Sequence, residues 1–241
     1  MLISLIGMSG SGKSYWSEKL TRRGFRRFSF DALIEDRLSG ELKRDEGSLT
    51  LGEWMGFPFQ DGYQEKEELY LFHEKQLMAE ILDRIAGNAR GDAGGDENIV
   101  LDTTGSVIYT GDDLLKRLRS LTTIIYFSVP VVIREAMLRQ YLSEPRPVLW
   151  RGLFRIGPGE SADEALVRSY NALLDLREVA YRDLADIEID YFRRNSPGFK
   201  TSDFLQIVAK DASAGYSRKD EGGGLPPGGA RGFSPGGFGH R

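Results

Sequence analysis

Gly7-Met-Ser-Gly-Ser-Gly-Lys13-Ser14, close to the start of the chain, has a spacing suited to holding phosphate. It matches G-x-x-x-x-G-K-[ST] in full. Glycines let successive backbone N–H groups turn onto phosphate oxygens, and a helix N-terminus adds positive potential. In this pattern Gly7, Gly10, Ser11 and Gly12 shape the cradle, Lys13 reaches the β- and γ-phosphates of a nucleotide, and the Ser14 hydroxyl meets Mg²⁺. Asp102 closes the apolar run Ile99–Asp102, where an acid on the metal side is expected; a plain strand-end cap is the competing reading. A GTPase would carry a guanine-reading Asn-Lys-x-Asp motif, and none occurs. The chain is also short for a remodelling ATPase. A small-molecule kinase remains, and it needs an acceptor pocket beside the γ-phosphate and mobile arginines that close over the transferred group.

The elements around the loop must set this geometry. Leu2–Ile6 is a short apolar strand ahead of the motif, and Ser14–Arg23 is a helix behind it, stopped by Gly24. Arg26–Phe30 alternates like a strand, and a helix over Asp31–Leu38 ends at Gly40. A long amphipathic helix spans Gln64–Ala86, with Leu69, Phe72, Leu77, Ile81, Leu82 and Ile85 near one face. Gly87–Asn98 reads as a surface loop. Strands follow at Ile99–Asp102, Thr122–Val129 and Asp186–Asp190, and helices at Gly111–Ser120, Pro130–Leu142, Asp163–Leu184 and Ser202–Lys210. Five strands separated by helices imply parallel pairing, because each crossover needs a helix on a sheet face. The expectation is a three-layer α/β domain over residues 1–212.

Composition narrows the chemistry. The chain has no cysteine, which removes disulfides, thiolate metal sites and cysteine nucleophiles together. His73 and His240 alone cannot build a multi-histidine metal centre. His73 sits on the long helix beside Phe72, where packing or a surface position is the expected role. Lysine and arginine number 32 against 36 acids, for a net charge of −4, so broad electrostatic binding of nucleic acid is not expected. Residues 213–241 are rich in glycine and proline and read as a disordered tail. No segment has the apolar length of a membrane span, and Met1–Gly7 lacks the basic region and long apolar stretch of a secretory signal. A cytoplasmic monomer with no nucleic-acid or membrane partner is expected, with a processed organellar form as the alternative.

Several stretches together resemble shikimate kinase and the wider nucleoside-monophosphate-kinase-like group of P-loop kinases. They are the phosphate loop, Phe30-Asp31-Ala-Leu-Ile-Glu35, Leu101-Asp-Thr-Thr-Gly-Ser106, Ile124-Ile-Tyr-Phe127, Arg146-Pro-Val-Leu149 and Arg177-Glu-Val-Ala-Tyr-Arg182. The resemblance implies a P-loop NTPase fold with a five-stranded parallel sheet, a lid near 143–162 and an acceptor-binding region near 31–75. It implies ATP as cosubstrate with Mg²⁺, and a small-molecule acceptor. It implies that Lys13, Asp31 and Arg146 are catalytic: Asp31 orients the acceptor hydroxyl and takes its proton, and Arg146 closes on the phosphoryl oxygens and the nucleotide. Asp31 also opens a helix, so an N-cap is its competing role. Arg151 and Arg155 lie close enough in sequence to share the lid role. Arg177 takes the place of the arginine that holds an acceptor carboxylate; a helix-surface pair with Glu178 or Asp183 is the alternative. Thr104, Gly105 and Ser106 fall on the acceptor-binding stretch, with Thr104, Gly105, Asp31 and Arg177 as substrate contacts.

Three departures stand out. Shikimate kinases carry Asp-x-Asp after the second strand, where this chain reads Ser29-Phe-Asp31. Their Gly-Gly-Gly becomes Thr104-Gly105-Ser106, and an arginine after Phe becomes Gln64 after Tyr63. ATP use carries over; shikimate as acceptor does not. Trp54, near Phe57 and Phe59, is the aromatic pocket candidate, and Arg44 or Lys66 are the cations able to rebuild an acid clamp. The functional expectation is transfer of the γ-phosphate to a hydroxyl of a small metabolite. The alternatives are a nucleoside or nucleotide kinase, and a catalytically weak nucleotide-binding regulatory protein.

Overall fold

The computed structural model describes residues 1–44, 47–89 and 97–220. Five parallel strands form its central sheet: β1 (Leu2–Ile6), β2 (Arg26–Ser29), β5 (Ile99–Asp102), β6 (Thr123–Phe127) and β7 (Ile187–Ile189), in the order β2-β5-β1-β6-β7. A separate antiparallel pair joins β3 (Lys43–Arg44) to β4 (Gly47–Ser48). The apolar strands bury both sides, as a sheet covered by helices on two faces must. Alternate residues feed two cores. Ile3, Leu5, Val100, Ile125, Phe127, Ile187 and Ile189 pack with Trp16 and Leu20 of α1 (Lys13–Thr21) and Phe204 and Val208 of α10 (Thr201–Asp220). Ile99, Leu101, Ile124 and Tyr126 face the other way, into the larger core. That core includes α5 (Tyr63–Ala89) and α8 (Ala162–Leu184), with Leu118 of α6 (Asp112–Leu121) and Met137 of α7 (Val131–Ser143). The three-layer expectation holds.

Strand registers aim the chemistry at one end of the sheet. β1 lies between β5 and β6, with Leu5 beside Asp102 and Ile6 beside Tyr126. The phosphate loop therefore leaves the middle of the sheet, next to the carboxyl end of β5. Ser29 of β2 pairs with Asp102 from the other side.

Some element boundaries differ from the sequence expectation. Phe30 is not in the strand; it opens α2 (Phe30–Arg37) and is fully buried. Gly40 stops nothing, because it lies inside a short helix α3 (Ser39–Leu42) anchored by buried Leu38 and Leu42. A further short helix, α4 (Leu51–Met55), starts on a capping box in which Thr50 and Glu53 satisfy each other's backbone N–H groups. α5 runs through Gly87 to Ala89, so the loop expected from Gly87 begins later, and residues 90–96 lie outside the described residues. On α5, Phe72 is 54% exposed rather than part of the apolar face, and Tyr70, Leu71 and Met78 are buried there. After β7 comes α9 (Tyr191–Arg194). α10 continues to Asp220, past Ser213 where the tail was expected to begin; the tail from Glu221 lies outside the described residues. Among the described residues no helix is long and apolar enough to cross a membrane.

Candidate functional site

The phosphate loop takes positive φ at Gly7 (141°), Gly10 (81°) and Gly12 (95°), a region in which side chains are strained. Gly7 has a second reason to be glycine: a Cβ there would sit 2.9 Å from the Phe127 carbonyl oxygen. Gly12 is the N-cap of α1, and Lys13 and Ser14 open the helix. Lys13 is buried, and its Nζ donates to the carbonyls of Gly7 (2.8 Å) and Met8 (2.9 Å), holding the loop closed around the ammonium. Ser14 is exposed at the helix mouth.

Four residues expected from distant segments surround Lys13. Burial pulls its pKa down; Asp102 and Asp31 oppose that shift and Arg177 and Arg146 reinforce it. Arg146 lies in a small cleft with Ser9 and Gly10 of the phosphate loop, Gln140 and Met137 of α7, and Tyr141, Val148 and Tyr170. Its approach depends on Gly52 of α4, where a Cβ would lie only 1.7 Å from the Pro145 carbonyl oxygen and 2.8 Å from the Arg146 nitrogen. Another depression, lined by Asp186, Glu188, Arg193 and Asp203 beyond β7, holds none of the motif residues.

Asp31 lies in the first turn of α2 and makes no capping bond; Ser29 is the N-cap. The N-cap reading of Asp31 therefore fails. Its Oδ1 accepts a 2.8 Å hydrogen bond from the hydroxyl of Tyr70, which is fully buried on α5. Although Asp31 keeps an open surface, the protein packed around it pushes its carboxyl above the usual range by desolvation, and Lys13 opposes the shift.

The stretch after β5 is more filled than glycines would leave it. Thr104 and Ser106 are buried, and both hydroxyls donate to Glu74 of α5, the Ser106 bond at 2.6 Å. Glu74 is fully buried, and desolvation raises its pKa to about 7 against the pull of those two donors. Gly105 passes close to the phosphate loop: a Cβ there would meet the Ser9 nitrogen at 3.1 Å and Arg177 Nη1 at 3.4 Å. Tyr181 donates its hydroxyl hydrogen to the Gly105 carbonyl.

Arg177 points inward rather than along the helix surface. It is buried, donates to the Leu149 carbonyl (2.5 Å) and lies over the Tyr109 ring at 5.3 Å. Glu178 pairs instead with Arg134 and Arg182, so the surface-pair reading of Arg177 fails.

Asp102, expected on the metal side, is in part committed elsewhere. Asp102 Oδ2 accepts from Ser17 (3.0 Å) and from Arg27 (2.6 Å), the latter a part-buried ion pair across β2 and β5. Its Oδ1 accepts no hydrogen bond among the described residues. No cluster of three or more His, Asp or Glu able to hold a metal alone exists among the described residues. One open hydroxyl and one half-used carboxylate fit a divalent cation that arrives with nucleotide phosphates, which would supply its other oxygens.

The remaining candidates separate. Trp54 is 3% exposed within the larger core, so it is a packing residue and not a pocket wall. Arg151 lies over α5, its N–H on Glu67 (2.9 Å) and its guanidinium on Glu67 and Glu68, at a positive φ of 50°. Arg155 is exposed, and its carbonyl receives Arg168. Arg44 spends its guanidinium on the carbonyls of Glu41 and Lys43, and Gln64 is exposed. His73 touches the Phe72 ring edge-on, in keeping with a packing role.

Sequence reasoning missed Tyr63, Glu67, Tyr70, Glu74 and Arg194. The first four recur at helical spacing on α5, polar residues on a face that an apolar-periodicity reading passes over. Tyr63 donates to Val148 (2.7 Å) and accepts from the Trp150 N–H (3.1 Å), which ties the segment around Val148–Trp150 to α5.

A five-stranded parallel sheet in this order, flanked by helices and with the phosphate loop leaving its central strand, is a P-loop NTPase fold. Solved structures with the same fold include a shikimate kinase from Acinetobacter baumannii in complex with shikimate, at 19% identity and TM-score 0.53, covering 91% of this chain and 94% of that one. A dephospho-CoA kinase from Campylobacter jejuni is similar at 16% identity and TM-score 0.50, covering 88% and 98%. No family model matches the chain, and no curated protein matches it in sequence.

Proposed function

We propose that the chain is an ATP-dependent phosphotransferase acting on a hydroxyl of a small metabolite. The observation that carries this reading is the glycine-turned phosphate loop at the carboxyl end of the central strand, with Arg146 in one cleft with Ser9 and Gly10 and with Gly105 close to both Ser9 and Arg177. In the proposed reaction the acceptor oxygen attacks the γ-phosphorus in line, the bond from that phosphorus to the β–γ bridging oxygen breaks, and ADP leaves. Asp31 orients the acceptor hydroxyl and takes its proton, a task suited to a carboxyl whose pKa is raised. Lys13 and Arg146 stabilise charge on the phosphoryl oxygens. Mg²⁺, held by Ser14 with Asp102 on its outer side, would neutralise charge on the β- and γ-phosphates. Arg177 is the cation available to an anionic group of the acceptor.

The acceptor is not expected to be shikimate. Gln64 supplies no second cation, and the Thr104 and Ser106 side chains with Glu74 fill an approach that glycines leave open. Losing one charged donor costs ~1.5–3 kcal/mol, roughly ten- to over a hundredfold in affinity. A second reading, a nucleotide-binding regulatory protein with slow turnover, draws on the Arg27–Asp102 pair, which takes up part of the metal-side charge. The test is ADP formation with shikimate, gluconate, nucleosides, nucleotides and dephospho-CoA as acceptors. Turnover with one of them well above the ATPase background supports the kinase; a background rate with all of them, alongside tight ATP binding, would favour the regulatory reading. A kcat/KM for shikimate of about 10⁵ M⁻¹s⁻¹ or more would refute the exclusion of shikimate.

A further inference from the structure

Arg194 is a buried arginine that forms no ion pair among the described residues. It lies at the end of α9 and is 4% exposed, and among the described residues no carboxylate comes within ion-pair distance of it. Its donors go to three backbone carbonyls from separate segments: Nη1 to Ser128 after β6 (2.7 Å) and Ile189 at the end of β7 (2.7 Å), and Nη2 to Ser11 in the phosphate loop (3.1 Å). Its plane is flanked by Phe127 (4.9 Å) and Tyr191 (5.3 Å), and its Nε is buried without a partner. Burial lowers its pKa to about 10, so it remains cationic at neutral pH. A desolvated cation of this kind is costly to keep, and its carbonyl contacts must offset that cost.

The contact with Ser11 has a geometric consequence. In a trans peptide the C=O and the following N–H point in opposite directions, and the described chain contains no cis peptide. Drawing the Ser11 carbonyl back toward the sheet therefore turns the Gly12 N–H outward, away from Arg194. That N–H donates to no protein acceptor among the described residues. Ser11 cannot fix the peptide through its own side chain, because its Oγ is buried and unpartnered.

We propose that Arg194 is a positioning residue for nucleotide binding: it holds the Ser11–Gly12 peptide in the orientation that presents the Gly12 N–H to a phosphate oxygen. This rests on the phosphate loop binding nucleotide, as proposed above, and is independent of the acceptor. It gives the bare carbonyl ends of β6 and β7 a role as the fixed frame against which the loop is set.

The test is calorimetric titration of the full chain with ADP and with inorganic tripolyphosphate, for wild type, Arg194→Met and Arg194→Lys. Arg134→Met serves as control, because it breaks the ion pairs of a buried arginine on α7 with Asp175 and Glu178 of α8 without touching the loop. The Arg194 variants are expected to bind both ligands about tenfold or more weakly at temperatures where they are folded. The control is expected to lose melting temperature and keep its affinities, which separates positioning from general loss of stability. Should Arg194→Met fail to fold, Arg194→Lys decides, since it keeps a cation at the strand ends but has no second nitrogen for Ser11. Wild-type affinity in a folded Arg194→Lys or Arg194→Met overturns the proposal. A wild-type protein that binds neither ligand overturns the nucleotide reading itself, and the proposal with it.

Discussion

Replacing Glu74 by Gln should stabilise the protein above neutrality and leave it little changed near pH 5. Glu74 is fully buried, and desolvation raises its pKa to about 7 from a usual 4.5. Between those values the folded protein keeps a proton that the unfolded chain has released. Stability from this group is therefore fully present below about pH 4.5 and falls as pH rises toward 7. A difference of about 2.5 pH units corresponds to at most about 3.4 kcal/mol lost by the time both states are ionised. A Gln of the same shape stays neutral throughout, offers its carbonyl to Thr104, and can hydrogen-bond Ser106 through its amide. Urea unfolding of both proteins at pH 5, 6, 7 and 8 gives a difference curve in which ionisable groups common to both largely cancel. The expected curve is smallest at pH 5, at no more than about 1 kcal/mol, and rises in favour of Glu74→Gln to as much as ~3 kcal/mol at pH 8. A flat difference, or one that favours wild type increasingly with pH, would refute the reasoning: the carboxylate would then be stabilised by its two hydroxyl donors more than burial penalises it.

Lys13→Ala should abolish phosphoryl transfer, and should also loosen the loop before any nucleotide binds, because the lysine holds the Gly7 and Met8 carbonyls; near-normal turnover in a folded variant contradicts the site. Gly52→Ala should displace the lid, since restoring an ordinary contact of about 3.4 Å from 1.7 Å moves the Pro145 carbonyl by about 1.7 Å. A misplacement of that size at Arg146 is expected to lower kcat by about a hundredfold, with a smaller loss of stability of ~1–3 kcal/mol; unchanged kcat would show that Arg146 is not positioned through this contact. Tyr63→Phe should free the lid backbone at Val148 and Trp150 and speed proteolysis within residues 148–155, while the sheet core stays protected.

Much of the fold could be read from local pattern. Three of the five main strands, β1, β5 and β6, are short apolar runs, β2 and β7 alternate, and the phosphate loop is a fixed spacing, so all are sequence-local signals. Burial changed the meaning of single residues. Asp102 read as a metal-side acid because it ends an apolar strand, but its charge is shared with Arg27, a pairing set by the register of β2 on β5. Trp54 read as a pocket wall, and packing put it in the core. Glu74 gave no signal at all, since an acid on a long amphipathic helix normally faces water. Its partners lie 30 and 32 residues away, so only the folded chain reveals them. Arg194 was invisible for the same reason, as its three acceptors are backbone atoms of other segments.

Tyr63, Glu67, Tyr70 and Glu74 stand on one face of α5 and touch, in order, the lid backbone, Arg151 of the lid, Asp31 and the Thr104–Ser106 floor. A single rigid rod thus fixes the phase of three parts of the site that no loop connects. Each residue added to a helix turns everything beyond it by about 100°. Inserting one residue between Glu67 and Tyr70 would swing one half of this face away while leaving helix content intact. The same insertion beyond Glu74 would leave all four contacts in phase and disturb the core packing of the distal turns and their ion pairs from Glu80 to Arg37 and from Asp83 to Arg117. Length variation along α5 is therefore felt differently at its two ends: within Tyr63–Glu74 it dephases the site, and beyond Glu74 it turns Leu77, Met78, Ile81, Leu82 and Ile85 out of the core and costs stability instead.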